Sequence, residues 1–422
     1  MSIGRLRRRW TAVPAPGMEA PVAEVTMSEP AERPVVRLRP SRRGRERAPW
    51  HYADELVLDR RTRAIPAGAV VAVEDPERRP LGTAAFNPGS KIALRLLDAD
   101  PAAVIDEGWF AGRIARALAL RAALYDAPFY RLVHAEGDGL PGVIVDRFGP
   151  AAVVQPNAAW AELRLPALVA ALMRVAGVAT VVKNAGGRTR GLEGLDAEAA
   201  EFGAPLDGPV AVPMNAATYF ADLAGGQKTG LYYDQRPNHA FAARLGRGRA
   251  VLDVFAHVGG FSLAALAAGA ASALAIDGSA PALTLAERGA SAGGAADRFE
   301  ARKADAFEAM AGLAADGRRF GLVVCDPPAF APNRAALDAG LRAYERVARL
   351  AAALVEPDGF LVVCSCSHAA DLARFREASL RGVARAGRPA QILYVGGAGP
   401  DHPVHAGLAE TAYLKALFLR LA

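Results

Sequence analysis

From about residue 249 the chain alternates between short apolar runs and helix-forming stretches. The order is RAVLDVFA, FSLAALAAGA, ALAIDG, PALTLAERGASAG, FGLVVCDPPAF, a helical 336–355, FLVVCSCSH and a further helix near 369–381. Strands separated by helices cannot pair as tight hairpins; they lie parallel, with the helices covering the sheet. The helical stretches are rich in Ala, the strongest helix former. This pattern predicts an α/β fold around an open, mostly parallel sheet. Such sheets bind ligands outside the carboxyl ends of their strands, so the residues there are the candidates for chemistry.

The chain ahead of this region divides three ways. Residues 1–33 mix Arg, Pro and Ala without period and predict a disordered basic arm. Over 34–105, alternations such as VVRLRP, GAVVAVED and IALRLLD are cut by Pro and Gly, which predicts a small β-rich domain. Over 106–205, helical spacing at 108–125, a hairpin across the FGP turn of 134–155, a helical 160–176 and a strand at 179–184 predict a small central α/β domain. The parallel-sheet domain then takes 206–422.

The formal charge of +6 is local. Residues 1–50 hold eleven Arg against five Glu, and the other 372 residues balance at 39 basic and 39 acidic. An Arg-rich arm fits a polyanion, either nucleic acid or an anionic membrane surface, or is simply a solvated tail. Three cysteines are too few for a disulfide framework and suit a reducing cytoplasm. Neither a secretory signal nor a membrane span is expected. The run Val254–Ile276 is long enough to span, but Gly259, Gly260 and His257 fit strand, turn, helix and strand better.

VLDVFAHVGGFSLAALAAGA reads as strand, glycine turn and helix. Gly259 and Gly260 allow a ligand close to the helix N-terminus, where free N–H groups point outward. Asp253 lies near the end of the first strand, Asp277 ends the second, and Asp305 is spaced to end a third. An acid at the second position accepts ribose hydroxyls. The dinucleotide fingerprint G-x-G-x-x-G is absent, which disfavours NAD and fits a nucleoside without pyrophosphate, S-adenosylmethionine. Each Asp taken alone also fits a helix cap or loop turn.

The fourth strand ends VVCDPPAF. Two prolines make a stiff exit that holds Asp326 and Phe330 in place. A flat base could stack on Phe330 while Asp326 accepts hydrogen bonds from its edge. The fifth strand ends LVVCSCSH, with Cys364, Cys366 and His368 on one face if it stays extended. Core packing, a metal site and a nucleophile are the three readings. A closed metal site needs about four ligands and none beyond these is evident. Cys325 and Cys364 read as packing. Cys366 is nearer the sheet's ligand-binding edge, where a thiolate could add to carbon 6 of cytosine and make carbon 5 nucleophilic.

With these residues in view, the chain resembles the RlmI-like family of 23S rRNA cytosine-5 methyltransferases. The resemblance runs from about residue 35 to the end. It rests on YRLVHAEGDGLPGVIVDRFG, GGQKTGLYYDQRPN, VLDVFAHVGGFS, VVCDPPAF, VCSCSH, DHPV and TAYLKAL. It implies an N-terminal PUA-like RNA-binding domain, a small central α/β domain and a Rossmann-like class I methyltransferase sheet. It implies S-adenosylmethionine at Asp253, Phe255, Gly259, Asp277 and Asp305, the nucleophile at Cys366 and base recognition at Asp326. GQKTGLYYDQR, ahead of the first core strand, then supplies Lys228, Tyr233, Asp234, Gln235 and Arg236 to the cleft, with Lys228 and Arg236 assigned to substrate or cofactor beside Phe330. Ribosomal RNA is the implied partner, with no membrane, and a homodimer is left open. His368 departs from the family's usual Gly. A methyltransferase acting on a ring or exocyclic nitrogen such as guanine, without a nucleophile, and a non-catalytic RNA-binding factor are the alternatives.

Overall fold

A computed structural model describes residues 33–40, 48–225, 230–408 and 411–422. Nearly all of the expected basic arm, residues 1–32, and Lys228 lie outside the described residues.

Residues 35–98 form a five-stranded sheet ordered Val35–Arg37, Ala69–Glu74, Pro80–Phe86, Ile92–Asp98 and Trp50–Tyr52. Its core is Val36, Leu56, Val71, Val73, Phe86 and Leu94. Short strands with a small core are what the Pro- and Gly-broken alternations dictate.

A second five-stranded sheet runs Ala200–Gly203, Thr180–Lys183, Ala151–Pro156, Val143–Phe148 and Phe129–His134. Helices Glu107–Leu124 and Leu165–Ala176 share a core with it, where Trp160 stacks on Phe110 at 5.8 Å. The helical stretch expected at 160–176 is two helices, broken at Arg164. The hairpin of Val210–Met214 and Ala217–Ala221 leads into the last domain.

There the strands are β1 (Ala250–Val254), β2 (Ser272–Asp277), β3 (Phe299–Lys303), β4 (Phe320–Cys325), β5 (Val355–Ser365), β6 (Ala390–Gly396) and β7 (Lys415–Leu421), in the order 3-2-1-4-5-7-6. β1 to β5 pair in parallel, and β7 inserts antiparallel between β5 and β6. Alternate residues of the central strands enter two cores. Leu252, Val254, Val323, Cys325 and Leu361 face Met310, Tyr344 and Phe375. Val251, Leu322, Val324, Val362 and Cys364 face Ala242, Phe261 and Ala265. Burial on both faces is why these strands read as unbroken apolar runs. The chain leaves β1 towards β2 and β3, then returns to β1's other side as β4. The crevice above β1 and β4 is therefore the switch point where such sheets take ligands.

Candidate active site

The turn after β1 is held in an unusual backbone. Phe255, His257 and Gly259 all have positive φ, at 63°, 50° and 79°. For two non-glycine residues this is a strained conformation of the kind concentrated at functional sites. Asp253 anchors it from behind: one carboxylate oxygen accepts Ser262 N at 2.9 Å and Ser262 Oγ at 2.8 Å, pinning the first turn of helix Gly260–Ala267. Asp253 is fully buried, and burial pushes its carboxyl up to about 6 against the pull of the Ser262 bonds. Expected as a donor ligand, Asp253 instead braces the loop that would hold one.

Asp277 occupies the position expected of a ribose acid. It lines the cavity at the end of β2 and accepts His257 N and Ser279 N, each at 2.8 Å. Those bonds fix its carboxylate beside Phe255 and Gly260, which also line the cavity. Gly259 caps the helix in a left-handed conformation just behind them. Asp305 is placed differently from expectation. It is exposed, caps helix Ala306–Ala315 by accepting Phe307 N and Glu308 N, and is not part of the cavity wall.

The cavity is about 800 Å³. Asp326, Pro327 and Pro328 line it after β4, and Cys366 lines it after β5. β5 ends at Ser365, so Cys364, Cys366 and His368 do not share a face. Cys364 is fully buried in the core, and Cys325 is fully buried on the opposite face, 4.0 Å from Met310 Sδ. The chain turns because both flanking serines are tied down. Ser365 Oγ donates to Tyr344 Oη at 2.9 Å, Ser367 Oγ lies 2.7 Å from the same hydroxyl, and Ser367 Oγ accepts Ala331 N at 2.9 Å. The S-C-S loop is thereby fastened to the D-P-P loop, with only its central residue turned to the cavity.

Phe330 is a correction. It packs 5.0 Å from Tyr344 and 6.3 Å from Phe307, ring centre to ring centre, and stands in the wall rather than on the surface of the cavity. Arg236 is a second correction. Its guanidinium donates to Phe129 O and lies over the Tyr125 ring at 4.2 Å, so it fastens this domain to the central one.

The opposite wall was expected only in part. Of the residues the resemblance places in the cleft, Asp234 and Gln235 line it and Tyr233 is buried behind it; Tyr232 and His239 from the same segment, and Arg131, His134 and Gln155 from the central domain, were missed. Gln235 Nε2 and His239 Nδ1 are buried without a hydrogen-bond partner among the described residues. Burial pushes His239 down to about 3, so it is neutral. Apart from the resemblance, GLYYDQRPN reads as a polar loop, and the resemblance was its one signal. Arg131 and His134 carried none, because their role depends on a contact across more than a hundred residues. Among the described residues no three His, Cys, Asp or Glu side chains come together to hold a metal ion, and no helix is long and apolar enough to cross a membrane.

A carboxylate at the end of β2, a glycine at the helix start and Phe255 between them fit a nucleoside whose charge is a sulfonium rather than a phosphate. Residues 196–420 match the S-adenosylmethionine-dependent methyltransferase family, and residues 36–99 match a PUA-like domain. The fold is shared with a protein of Streptococcus mutans assigned as a SAM-dependent methyltransferase, at TM-score 0.77 and 16% identity over 92% of this chain and all of that one. A methyltransferase solved in complex with SAH has TM-score 0.76 at 17% identity, over 92% and 100% of the two chains. The chain is an S-adenosylmethionine-dependent methyltransferase.

Its relatives narrow the class. A ribosomal RNA large subunit methyltransferase of Deinococcus radiodurans is 34% identical over 419 residues, covering 96% of this chain and 99% of that one. Ribosomal RNA large subunit methyltransferase I of Shewanella amazonensis is 34% identical over 359 residues, covering 84% and 91%. The chain belongs to this family of large-subunit ribosomal RNA methyltransferases.

The glycine turn gives a first prediction. A Cβ on Gly260 would sit 2.7 Å from the His239 ring, which is walled in by Phe261 at 4.4 Å and Tyr219 at 6.4 Å. Gly260→Ala is expected to weaken S-adenosylmethionine binding by about tenfold or more, since one misplaced wall costs on the order of 1–3 kcal/mol. Calorimetric titration checks this; unchanged affinity would remove Gly260 from the cofactor wall.

Proposed function

We propose that this chain methylates carbon 5 of a cytosine in 23S ribosomal RNA through a covalent adduct with Cys366. The observation that carries the reading is that, of the three cysteines, Cys366 alone opens into the cavity that Asp277 and Asp326 also line. The names of the relatives and the PUA-like domain support ribosomal RNA as the substrate. A free thiol nucleophile suits the cytoplasm.

S-adenosylmethionine would be held by Asp277, Phe255 and the Gly260 turn, and it supplies an electrophilic methyl group on a sulfonium. The rest is done by the protein and the base. Asp326 accepts a hydrogen bond from the edge of a cytosine swung out of its helix. The Cys366 thiolate adds to carbon 6 and the double-bond electrons move to carbon 5. Carbon 5 takes the methyl, and the bond's electron pair stays with the departing sulfur of the cofactor. A base then removes the carbon-5 proton, the C5–C6 double bond re-forms and Cys366 leaves as thiolate. Asp326, on its stiff Pro327-Pro328 exit, keeps the ring in register with the sulfur through both steps.

The test is nucleoside digestion and mass spectrometry of ribosomal RNA treated with the purified full chain. 5-Methylcytosine is expected; a methylated guanine in its place would overturn the reading in favour of nitrogen methylation.

A further inference from the structure

We propose that Lys415 is a positioning residue for Cys366: its ammonium fixes the loop that presents the thiol and supplies the positive charge that favours the thiolate. This rests on reading Cys366 as the nucleophile.

Lys415 opens β7, directly opposite Ser365 at the end of β5. It is a lysine buried to 8% exposure. Its Nζ donates to Ser367 O at 2.6 Å and to Ala370 O at 2.8 Å, the two carbonyls that bracket the turn after Cys366. Among the described residues no carboxylate pairs with it within ion-pair distance. Burying an ammonium against neutral carbonyls is costly and needs a compensating gain. A nearby anion supplies one, and the thiolate of Cys366 is the anion this loop can make.

The groups that face the sulfur make a cation useful. Asp326 lines the same cavity after β4, and Tyr232, Tyr344 and Tyr413 come from the segment before β1, the helix Leu337–Ala352 and the segment before β7. His368 follows two residues later, and Asp371 acts on Lys415 from the helix beyond. Asp326 opposes a second negative charge beside it. The tyrosines are pushed above their usual range by burial and stay neutral. Burial lowers the Lys415 ammonium, and Cys366 is the foremost charge pulling it back up.

The full chain is alkylated with iodoacetamide across a range of pH, and modification is mapped by mass spectrometry to the peptide holding Cys366. Buried Cys325 and Cys364 serve as internal references. The wild-type midpoint is expected below about 8.5, the value of a free thiol. Lys415→Gln, which can still donate to a carbonyl, is expected to raise it by about one unit, so that alkylation at pH 7 slows about tenfold. Its methyl transfer should recover as pH rises, whereas a purely structural defect would persist at every pH. Lys415→Arg should restore the midpoint. A wild-type midpoint at or above that of a free thiol, or an unchanged midpoint in Lys415→Gln, would overturn the proposal. A shifted midpoint with no adduct on 5-fluorocytosine RNA would instead overturn Cys366 as nucleophile and leave the charge coupling standing.

Discussion

Cys366→Ala is expected to reduce methyl transfer by at least about 10³-fold, the scale on which removing a covalent nucleophile acts. S-adenosylmethionine affinity should stay within about twofold, because Cys366 is across the cavity from the Asp277 end. Cys366→Ser should fare little better, since a hydroxyl has no comparable anion near neutral pH. RNA carrying 5-fluorocytosine should become covalently attached to the wild-type chain, because fluorine cannot leave carbon 5 as a proton does and the elimination stops. A denaturing gel reads that adduct directly, and Cys366→Ala should show none. Cys325→Ala and Cys364→Ala are the matched controls. Each removes a buried thiol from one of the two cores, so they should cost stability and leave the rate per folded molecule close to wild type. Full activity in Cys366→Ala would leave the D-P-P loop to act alone and move the chemistry to nitrogen.

How much of this was legible in the sequence follows from which forces are local. β1, β2, β4 and β5 were legible because a parallel strand buried on both faces is a continuous apolar run; β3, FEARK, has no buried residue and was placed only by the spacing of Asp305. The glycine turn was legible for the same reason: HVGGFS interrupts that pattern where a backbone must come close to a ligand. The roles of the strand-end acids were not. Asp253 and Asp277 occupy equivalent places in the one-dimensional pattern. Which of them faces the cavity is decided by the left-handed Phe255 and His257 and by Ser262, whose N–H and hydroxyl both bond one oxygen of the Asp253 carboxylate. Asp305 shows the same ambiguity resolved towards a helix cap. Phe330 and Arg236 have the chemistry to bind a base and a phosphate, but packing uses them instead, one in an aromatic wall and the other as a strut to the central domain. TAYLKAL was legible only as part of the resemblance; that it opens an antiparallel strand, and that Lys415 acts there, was not, because β7 follows a long irregular segment and pairs antiparallel. The wall supplied by Arg131, His134 and Gln155 belongs to another domain, and no local pattern announces a contact at that separation.

Two buried ion pairs hold that wall: Asp146 grips the Arg131 guanidinium at 2.6 and 3.0 Å, and Arg121 pairs with Asp138 behind it; breaking the second is expected to have the largest effect on stability. Arg121 is fully buried, and its guanidinium meets the Asp138 carboxylate at 2.5 and 2.8 Å. It also donates to Arg131 O at 2.8 Å and to Asp401 O at 2.6 Å. The Asp401 carboxylate accepts Arg131 N at 3.0 Å and meets His402 Nδ1 at 2.9 Å. One guanidinium thus ties the central domain to the segment before β7 and holds Arg131 and His134 in the cavity wall. His134 is pushed down to about 2 by burial and by Arg131, so it is neutral there. Asp138→Ala leaves Arg121 buried without its counter-charge and frees His134 N, which donates to Asp138 at 2.6 Å. Removing one partner of such a pair costs about 3–5 kcal/mol, whereas replacing both with apolar groups costs far less. Urea denaturation should therefore show a large loss for Asp138→Ala and a much smaller one for Arg121→Met combined with Asp138→Leu. The double variant separates stability from function: it should fold and bind S-adenosylmethionine, yet raise the KM for RNA, because the Arg131 carbonyl and the His134 N–H lose the partners that fix their backbone, while Asp146 still holds the Arg131 guanidinium. If its KM for RNA is unchanged, the central domain's wall is scaffolding alone and the base is read entirely from the Asp326 side.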